Sequence, residues 1–256
     1  MPLWRLTRPF MPDAPLHMAS HLSARARNDP GQYDDLADQW WSLHGTFAML
    51  HWIAEARARV VPPAAAQGKV LVDVGCGGGL FAPHAARLGY RHIGVDITGS
   101  ALRVAGEHGT HALRANVLAL PLADGCADVV VAGEILEHVV DMRACAREAC
   151  RVLRPGGTLV VDTIASTWLA RVLAVSVAER IPGGAPRGLH DPALFVDRRV
   201  LRTVCAGEGV DLVFKGLRPS FISVLAWLAG RRPSARMVPT PWTSVLFQAW
   251  GTKKPS

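Results

Sequence analysis

Apolar and polar positions along this chain fall into two kinds of block. Apolar runs of strand length occupy 69–74, 91–95 and 127–132, with others near 111–116 and at 158–162. The valine-rich run at 127–132 is continuous rather than alternating, which marks a parallel strand covered on both faces. Helical spacing fills the intervals: from the glycines after 74 to about Leu88, over Ser100–Glu107, and over Met142–Leu153 up to Arg154-Pro155-Gly156-Gly157. Strands alternating with helices predict a parallel sheet with right-handed crossovers. A helix at about 197–207, a strand at 210–216 and a terminal strand near 243–250 complete the pattern. The expected architecture is α/β: a mostly parallel seven-stranded sheet with helices on both faces.

Two regions stand outside this alternation. Residues 1–28 hold Pro2, Pro9, Pro12 and Pro15 and no continuous apolar stretch, so they read as a flexible leader rather than a signal peptide. Residues 29–63 read as a helical cap with an acidic start at Asp34-Asp35 and a stop at Pro62-Pro63. From 29 to 256 the chain is expected to form one domain, with lid insertions at about 164–192 and 219–241. Apolar runs inside those insertions, Trp168–Ala178 and Phe221–Leu228, are too short to span a bilayer. They have two readings: lid or core helices, or an apolar rim that makes peripheral membrane contact with Arg171, Arg180, Arg231 and Arg232 at the headgroups.

Charge and cysteine usage narrow the class. The chain of 256 residues carries a formal net charge of +7. Its arginines are scattered, with Arg198-Arg199 and Arg231-Arg232 the only adjacent arginine pairs, and no basic stripe interleaved with aromatics points to nucleic acid. Cysteines 76, 126, 145, 150 and 205 are odd in number and lack Cys-x-x-Cys spacing. Neither a disulfide framework nor a zinc site is indicated, and a cytoplasmic setting is expected.

The chemistry concentrates at Val70-Leu71-Val72-Asp73-Val74-Gly75-Cys76-Gly77-Gly78-Gly79 and at Asp96, which ends the next strand. A strand, a glycine turn opening a helix and an acid ending the second strand describe a nucleoside site, the acid gripping ribose hydroxyls. In the dinucleotide register the third glycine would fall at 80, which is Leu80, so a nicotinamide oxidoreductase is disfavoured. The register Asp73-x-Gly75-x-Gly77-x-Gly79 resembles that of class I S-adenosylmethionine (SAM) dependent methyltransferases, and implies their Rossmann-like fold.

A more specific likeness covers roughly Asp38 to Leu201. It rests on Gln39-Trp40-Trp41-Ser42-Leu43-His44-Gly45-Thr46-Phe47 with Leu50-His51, on Asp73–Gly79, and on Glu134-Ile135-Leu136-Glu137-His138-Val139. Leu153-Arg154-Pro155-Gly156-Gly157, Ile181-Pro182 and Gly188-Leu189-His190-Asp191 extend it. The chain thereby resembles the ubiquinone-biosynthesis 3-O-methyltransferases, which methylate catechol-type polyprenyl phenols. The resemblance implies SAM contacts at Arg57, Gly75, Asp96 and Gly133; Asp73, Gly77, Gly79, Ile97, Asn116 and Val117 complete the expected cofactor set. Asn116 stands where many methyltransferases put an acid near the adenine amine, and its carbonyl can accept that bond. Two departures stand out. The family usually carries a larger residue at 133, and its Asn-Arg after strand 5 is here Ala165-Ser166. The 219–241 insertion also matches poorly.

Methyl transfer from a sulfonium gains from a dry site and an exact approach. A phenolic acceptor, with a pKa of about 10, must also lose its proton. The resemblance implies a Mg²⁺ site at Glu134, Glu137 and His138. The alternatives are His138 as a metal-free base, or an acid that only orders the loop. His190 is a second candidate base, or part of a turn or helix cap. His51 reads as packing or as support behind the site. Trp40, Trp41 and Phe47 either wall the acceptor pocket or belong to the core. The expected activity is SAM-dependent O-methylation of a small-molecule phenolic or catechol acceptor, lipophilic in character. The alternatives are a tailoring methyltransferase of aromatic natural products and a non-catalytic SAM-binding, membrane-associated assembly subunit.

Overall fold

The computed structural model describes residues 26–177 and 188–255. The first part of the sequence-defined leader, and Arg180 and Ile181-Pro182 of the first insertion, lie outside the described residues. Five parallel strands form the centre: β1 (Val70–Val74), β2 (Arg91–Asp96), β3 (His111–Arg114), β4 (Ala127–Gly133) and β5 (Leu153–Ile164). β6 (Val213–Pro219), β7 (Met237–Thr240) and β8 (Leu246–Thr252) add antiparallel, giving the order β3-β2-β1-β4-β5-β8-β6-β7. The helices are α1 (Gly31–Asp35), α2 (Ala48–Ala58), α3 (Ala82–Arg87), α4 (Gly99–Glu107), α5 (Met142–Val152), α6 (Trp168–Arg171, continued by a π-helical turn to Val177), α7 (Arg198–Gly207) and α8 (Phe221–Leu228).

Both sheet faces are dry, as the continuous apolar runs require. One side buries Val72, Val130 and Ala132 against Cys145, Ala149 and Val152 of α5 and Leu201 and Cys205 of α7. Their strand neighbours Leu71, Val129 and Val131 point the other way, onto Ala54 and Ala58 of α2 and Phe81 and Ala85 beside and in α3. Each buried valine or leucine among them contributes roughly 1.5–3 kcal/mol by burial. Side-chain caps fix three of the helix starts: Asp141 accepts from the Ala144 N–H at 2.9 Å, Thr167 from the Ala170 N–H at 3.1 Å, and Asp197 from the Arg199 N–H at 2.8 Å.

Four expectations need correction. The sheet has eight strands, not seven, because the 219–241 insertion folds as α8 followed by β7. Pro239 hides β7 in the sequence; at a sheet edge, paired only with β6, a missing N–H costs little. The 29–63 cap is not one helix but α1, a 3₁₀ turn at Ala37–Gln39 and α2, since Gly45 and the aromatic cluster between them bend the chain. The strand drawn at 210–216 begins at Val213, Val210 making only an isolated bridge to Lys253, and the terminal strand runs to Thr252. Among the described residues no helix is long and apolar enough to cross a membrane.

Candidate active site

The parallel strands leave a crevice at their carboxyl ends, where the chain order reverses between β1 and β4. The glycine loop occupies it. Gly75, Gly77 and Gly79 all have φ between +50° and +76°, the left-handed region closed to most side chains. Close approach adds to the demand. A Cβ at Gly75 would lie 2.5 Å from Ile135, and one at Gly79 would lie 2.9 Å from the backbone of Ala105 in α4. Asp96 accepts from the Gly77 N–H at 2.9 Å and from the Thr98 N–H at 2.8 Å, so the second strand's acid braces the loop itself. Burial pushes its carboxyl above the usual aspartate range, against the pull of those hydrogen bonds. Behind it, Asp73 sits 3.2 Å from His92 Nε2, both buried. Asn116 uses its Oδ1 to accept from the Leu118 N–H, leaving a second lone pair.

The N-terminal cap presses onto this loop. Trp40 lies so close that a Cβ on Gly77 or Gly78 would come 2.4 Å from its ring. Phe47 stacks on Trp40 at 4.2 Å and Tyr33 flanks both. Trp40 and Phe47 are thus both core and cavity wall. Trp41 takes a different place: it stacks on His108 at 3.8 Å and donates to the Gly78 carbonyl at 3.0 Å. His51 stays behind the wall, its Nε2 2.9 Å from the Trp40 carbonyl.

Arg57 of α2 reaches across to Asp162 of β5. Its Nε and Nη2 each donate to one carboxylate oxygen at 2.6 Å, with Asp162 fully buried. Gly133 lies directly under the guanidinium: a Cβ there would come 1.7 Å from Nη2 and 1.9 Å from Cζ. Sequence reasoning missed Asp162, although an acid ending a buried valine run is the signal that found Asp96.

Glu134 follows with φ +52°, rare for a residue with a side chain, and its Oε1 is buried without a hydrogen-bond partner. Burial and the neighbouring Glu137 and Asp162 carboxylates hold its carboxyl well above the usual range. Glu137 turns inward, fully buried, and accepts from the Thr163 hydroxyl at 2.6 Å. His138 turns the other way. Asn28 donates from Nδ2 to the His138 carbonyl at 2.9 Å, so its Oδ1, 2.6 Å from Nδ1, is the acceptor. That assignment puts the ring proton on Nδ1 and the lone pair on Nε2, 3.3 Å from the Tyr33 hydroxyl. Burial lowers the His138 pKa to about 3. His190 packs beside it, ring centroids 5.5 Å apart. The sequence reading missed Asn28 and Tyr33; Asn28 was assigned to the leader, yet it is bonded to the site.

This geometry corrects the expected Mg²⁺ site. Glu137 is committed to Thr163 on one side of the 3₁₀ turn Leu136–His138, and His138 to Asn28 and Tyr33 on the other. Among the described residues no three His, Cys, Asp or Glu side chains converge as a metal would need. Magnesium is not supported.

A cavity of about 960 Å³ joins these parts, near the upper end of the roughly 300–1,000 Å³ usual for small-molecule sites. It is lined by every expected cofactor residue, Arg57, Asp73, Gly75, Gly77, Asp96, Ile97, Asn116, Val117 and Gly133, except Gly79, whose role is packing against α4. Glu134, His138 and His190 also line it, but Glu137 does not. Beyond them it continues into an apolar lobe of Ile164, Leu169, Leu173, Leu189, Val224 and Leu246.

A family profile described as a methyltransferase domain matches residues 72–161. The ubiquinone biosynthesis O-methyltransferase of Albidiferax ferrireducens is 34% identical over 76% of this chain and 81% of its own length. That of Ralstonia nicotianae is 38% identical over 67% and 76%. The mitochondrial enzyme of that name from Mus musculus is 30% identical over 70% of this chain and 55% of its own. Among solved structures, a SAM-dependent methyltransferase of Thermotoga maritima, described as a possible histamine N-methyltransferase, superposes with a TM-score of 0.61 at 21% identity. It spans 87% of this chain and 97% of its own, and at that identity shows the fold alone.

Proposed function

We propose, from the premise that this chain belongs to the ubiquinone biosynthesis O-methyltransferase family and is a SAM-dependent O-methyltransferase, that its acceptor is a lipophilic phenol or catechol of the quinone-precursor kind. The carrying observation is the continuity of the cavity from the glycine loop into the apolar lobe of Leu169, Leu173, Leu189 and Val224. A hydrocarbon substituent buried there gains about 0.8 kcal/mol per methylene.

The residues present fit the cofactor. Gly75 and Gly77 offer side-chain-free backbone for the methionine part, Asp96 retains lone pairs for ribose hydroxyls, and Ile97 and Val117 flank the adenine position with Asn116 at its edge. Arg57 meets the methionine carboxylate. Bound there, SAM supplies an electrophilic methyl group on a sulfonium. Replacing Asp96 by Ala should weaken SAM binding by about 1–3 kcal/mol, and unchanged affinity by calorimetry would contradict the placement.

The chain's own contribution is to orient the acceptor, exclude water and take its proton. Proton removal falls to His138, whose Nε2 lone pair faces the Tyr33 hydroxyl, with both residues on the cavity wall beside His190. With its pKa lowered to about 3, His138 does not ionise the resting phenol. It takes the proton late, once bonding to the methyl carbon has made the aryl oxygen oxonium-like, with the acceptor hydroxyl in place of Tyr33 at Nε2 and Asn28 steadying the Nδ1–H.

Labelled SAM with matched catechols, bare or carrying alkyl chains, tests the acceptor. We expect kcat/KM to rise about fourfold per methylene until the lobe is full. Best turnover of compact polar aromatics would favour a natural-product tailoring role, which Ala165-Ser166 and the divergent 219–241 insertion also suit. No transfer to any phenol despite SAM binding would favour the non-catalytic assembly subunit.

Peripheral membrane contact belongs to the same reading. Phe221, Ile222, Leu225 and Leu228 of α8 are exposed, with Trp242 nearby in sequence beyond β7. From 212 to 256 the chain has no acidic residue, while Arg218, Arg231, Arg232 and Arg236 are exposed around the helix. An apolar face ringed by cations suits an anionic bilayer at the mouth of a lipophilic pocket.

A further inference from the structure

We infer that Asp162 is a positioning residue for the cofactor's methionine carboxylate, holding the Arg57 guanidinium flat over Gly133 so that Nη1 is left for the ligand. The inference rests on the assignment of Arg57 proposed above and adds the two residues that make it work.

Gly133 and Asp162 are register partners on neighbouring strands, β4 and β5. Arg57 comes from α2, and its guanidinium meets both members of that pair. Two of its three nitrogens, Nε and Nη2, are committed to Asp162 by parallel bonds of 2.6 Å. Such a fork fixes the plane of the guanidinium as well as its position, which a lysine ammonium could not reproduce. Among the described residues Nη1 makes no hydrogen bond, and Arg57 lines the cavity.

The arrangement is possible only because residue 133 has no side chain. Any Cβ would occupy the place of Nη2, at 1.7 Å. No residue with a side chain at 133 could coexist with an Arg57 held here. Gly133 and Asp162 therefore act together: one vacates the space and the other fixes the guanidinium in it.

Net charge alone would not draw a carboxylate to this spot. Asp162, Asp73 and Glu134 all lie near enough to Arg57 to stabilise its positive charge, so a single cation serves several acids. A further carboxylate can bind only through a donor aimed at it, and aiming is what the Asp162 fork provides.

The test uses the full chain and two ligands, S-adenosylhomocysteine and 5′-methylthioadenosine, which shares the nucleoside but lacks the amino-acid part. Affinities are measured by calorimetry for the native chain, Asp162→Asn and Arg57→Lys. We expect Asp162→Asn to weaken S-adenosylhomocysteine by about 10–100-fold, the worth of a charge-assisted hydrogen bond, and to leave methylthioadenosine within about twofold. Should Asp162→Asn not fold, Gly133→Ala displaces the guanidinium while keeping the acid, and the same ligand-selective loss is expected. Equal loss for both ligands, or no loss, overturns the inference. If Arg57→Lys weakens S-adenosylhomocysteine selectively and Asp162→Asn does not, Asp162 is no positioning residue but Arg57 remains a cofactor contact. If Arg57→Lys leaves both affinities unchanged, the assignment of Arg57 itself fails.

Discussion

Gly78→Ala should destabilise the protein through Trp40, and removing that ring should erase most of the effect. Gly78 has no left-handed backbone, so a methyl group there is not strained by its own φ. The obstacle is the cap. The added Cβ would stand 2.4 Å from Trp40 Cγ, 2.6 Å from Cδ2 and 2.7 Å from Cβ, where real contacts need at least about 3.4 Å. These are atoms near the base of the side chain, so a rotamer change alone cannot clear them. The indole is also only 5% exposed and stacked on Phe47, so it cannot swing into solvent without opening the wall. Overpacking of this kind costs about 1–3 kcal/mol.

Trp40→Gly alone should cost roughly 3–5 kcal/mol as a large-to-small change in a buried site. It removes Cβ and the whole indole, and with them the three atoms that the alanine methyl group would meet, so the second step of the cycle should cost under about 0.5 kcal/mol. The expected coupling is therefore about −1 to −2 kcal/mol, well outside the additivity of independent sites. Urea unfolding followed by far-UV circular dichroism gives all four stabilities, provided the m-values agree. Strict additivity would show that the cap does not rest on the glycine loop. The same variants should lose affinity for S-adenosylhomocysteine, because the loop and the cap move as one.

Three further outcomes follow from the charges and surfaces. His138, held neutral by burial with a pKa lowered to about 3, should show ring proton resonances that do not titrate between pH 5 and 8; a midpoint near 6.5 would place the ring in water. Glu137 is raised by burial from 4.5 towards about 7, so its contribution to stability is full below 4.5 and is lost as pH climbs through the folded value. Glu137→Gln should accordingly gain on the native chain by about 3 kcal/mol between pH 4 and 8, and a constant difference across that range would refute the buried-acid account. Ile222→Glu should abolish flotation of the chain with vesicles rich in anionic lipid while leaving turnover of a water-soluble catechol unchanged; equal flotation of both proteins would remove α8 from any membrane contact.

What the sequence disclosed, and what it concealed, divides along the range of the interactions involved. Strands β1 and β4 and the loop Gly75–Gly79 are dictated locally: a strand buried on both faces is apolar along most of its length, and a backbone at φ +74° favours glycine. Their places could be read within a residue or two. β7 could not, because Pro239 forbids an interior strand and only the sheet-edge location, a tertiary fact, makes it acceptable. The glutamate and histidine spacing at 134–138 looked like a ligand set, yet on a 3₁₀ turn neighbouring side chains diverge. Glu137 went into the core toward Thr163 and His138 toward Tyr33.

The residues that were missed share one property: their partners are distant along the chain. Asn28 meets His138 across 110 positions and Arg57 meets Asp162 across 105. No periodicity encodes such pairs. A glycine ending a buried valine run is nevertheless a legible hint that something else fills the space. At Gly133 that something is the Arg57 guanidinium. The α8–β7 unit lines the same cavity as Arg57, through Val224, Trp227, Leu228, Met237 and Thr240.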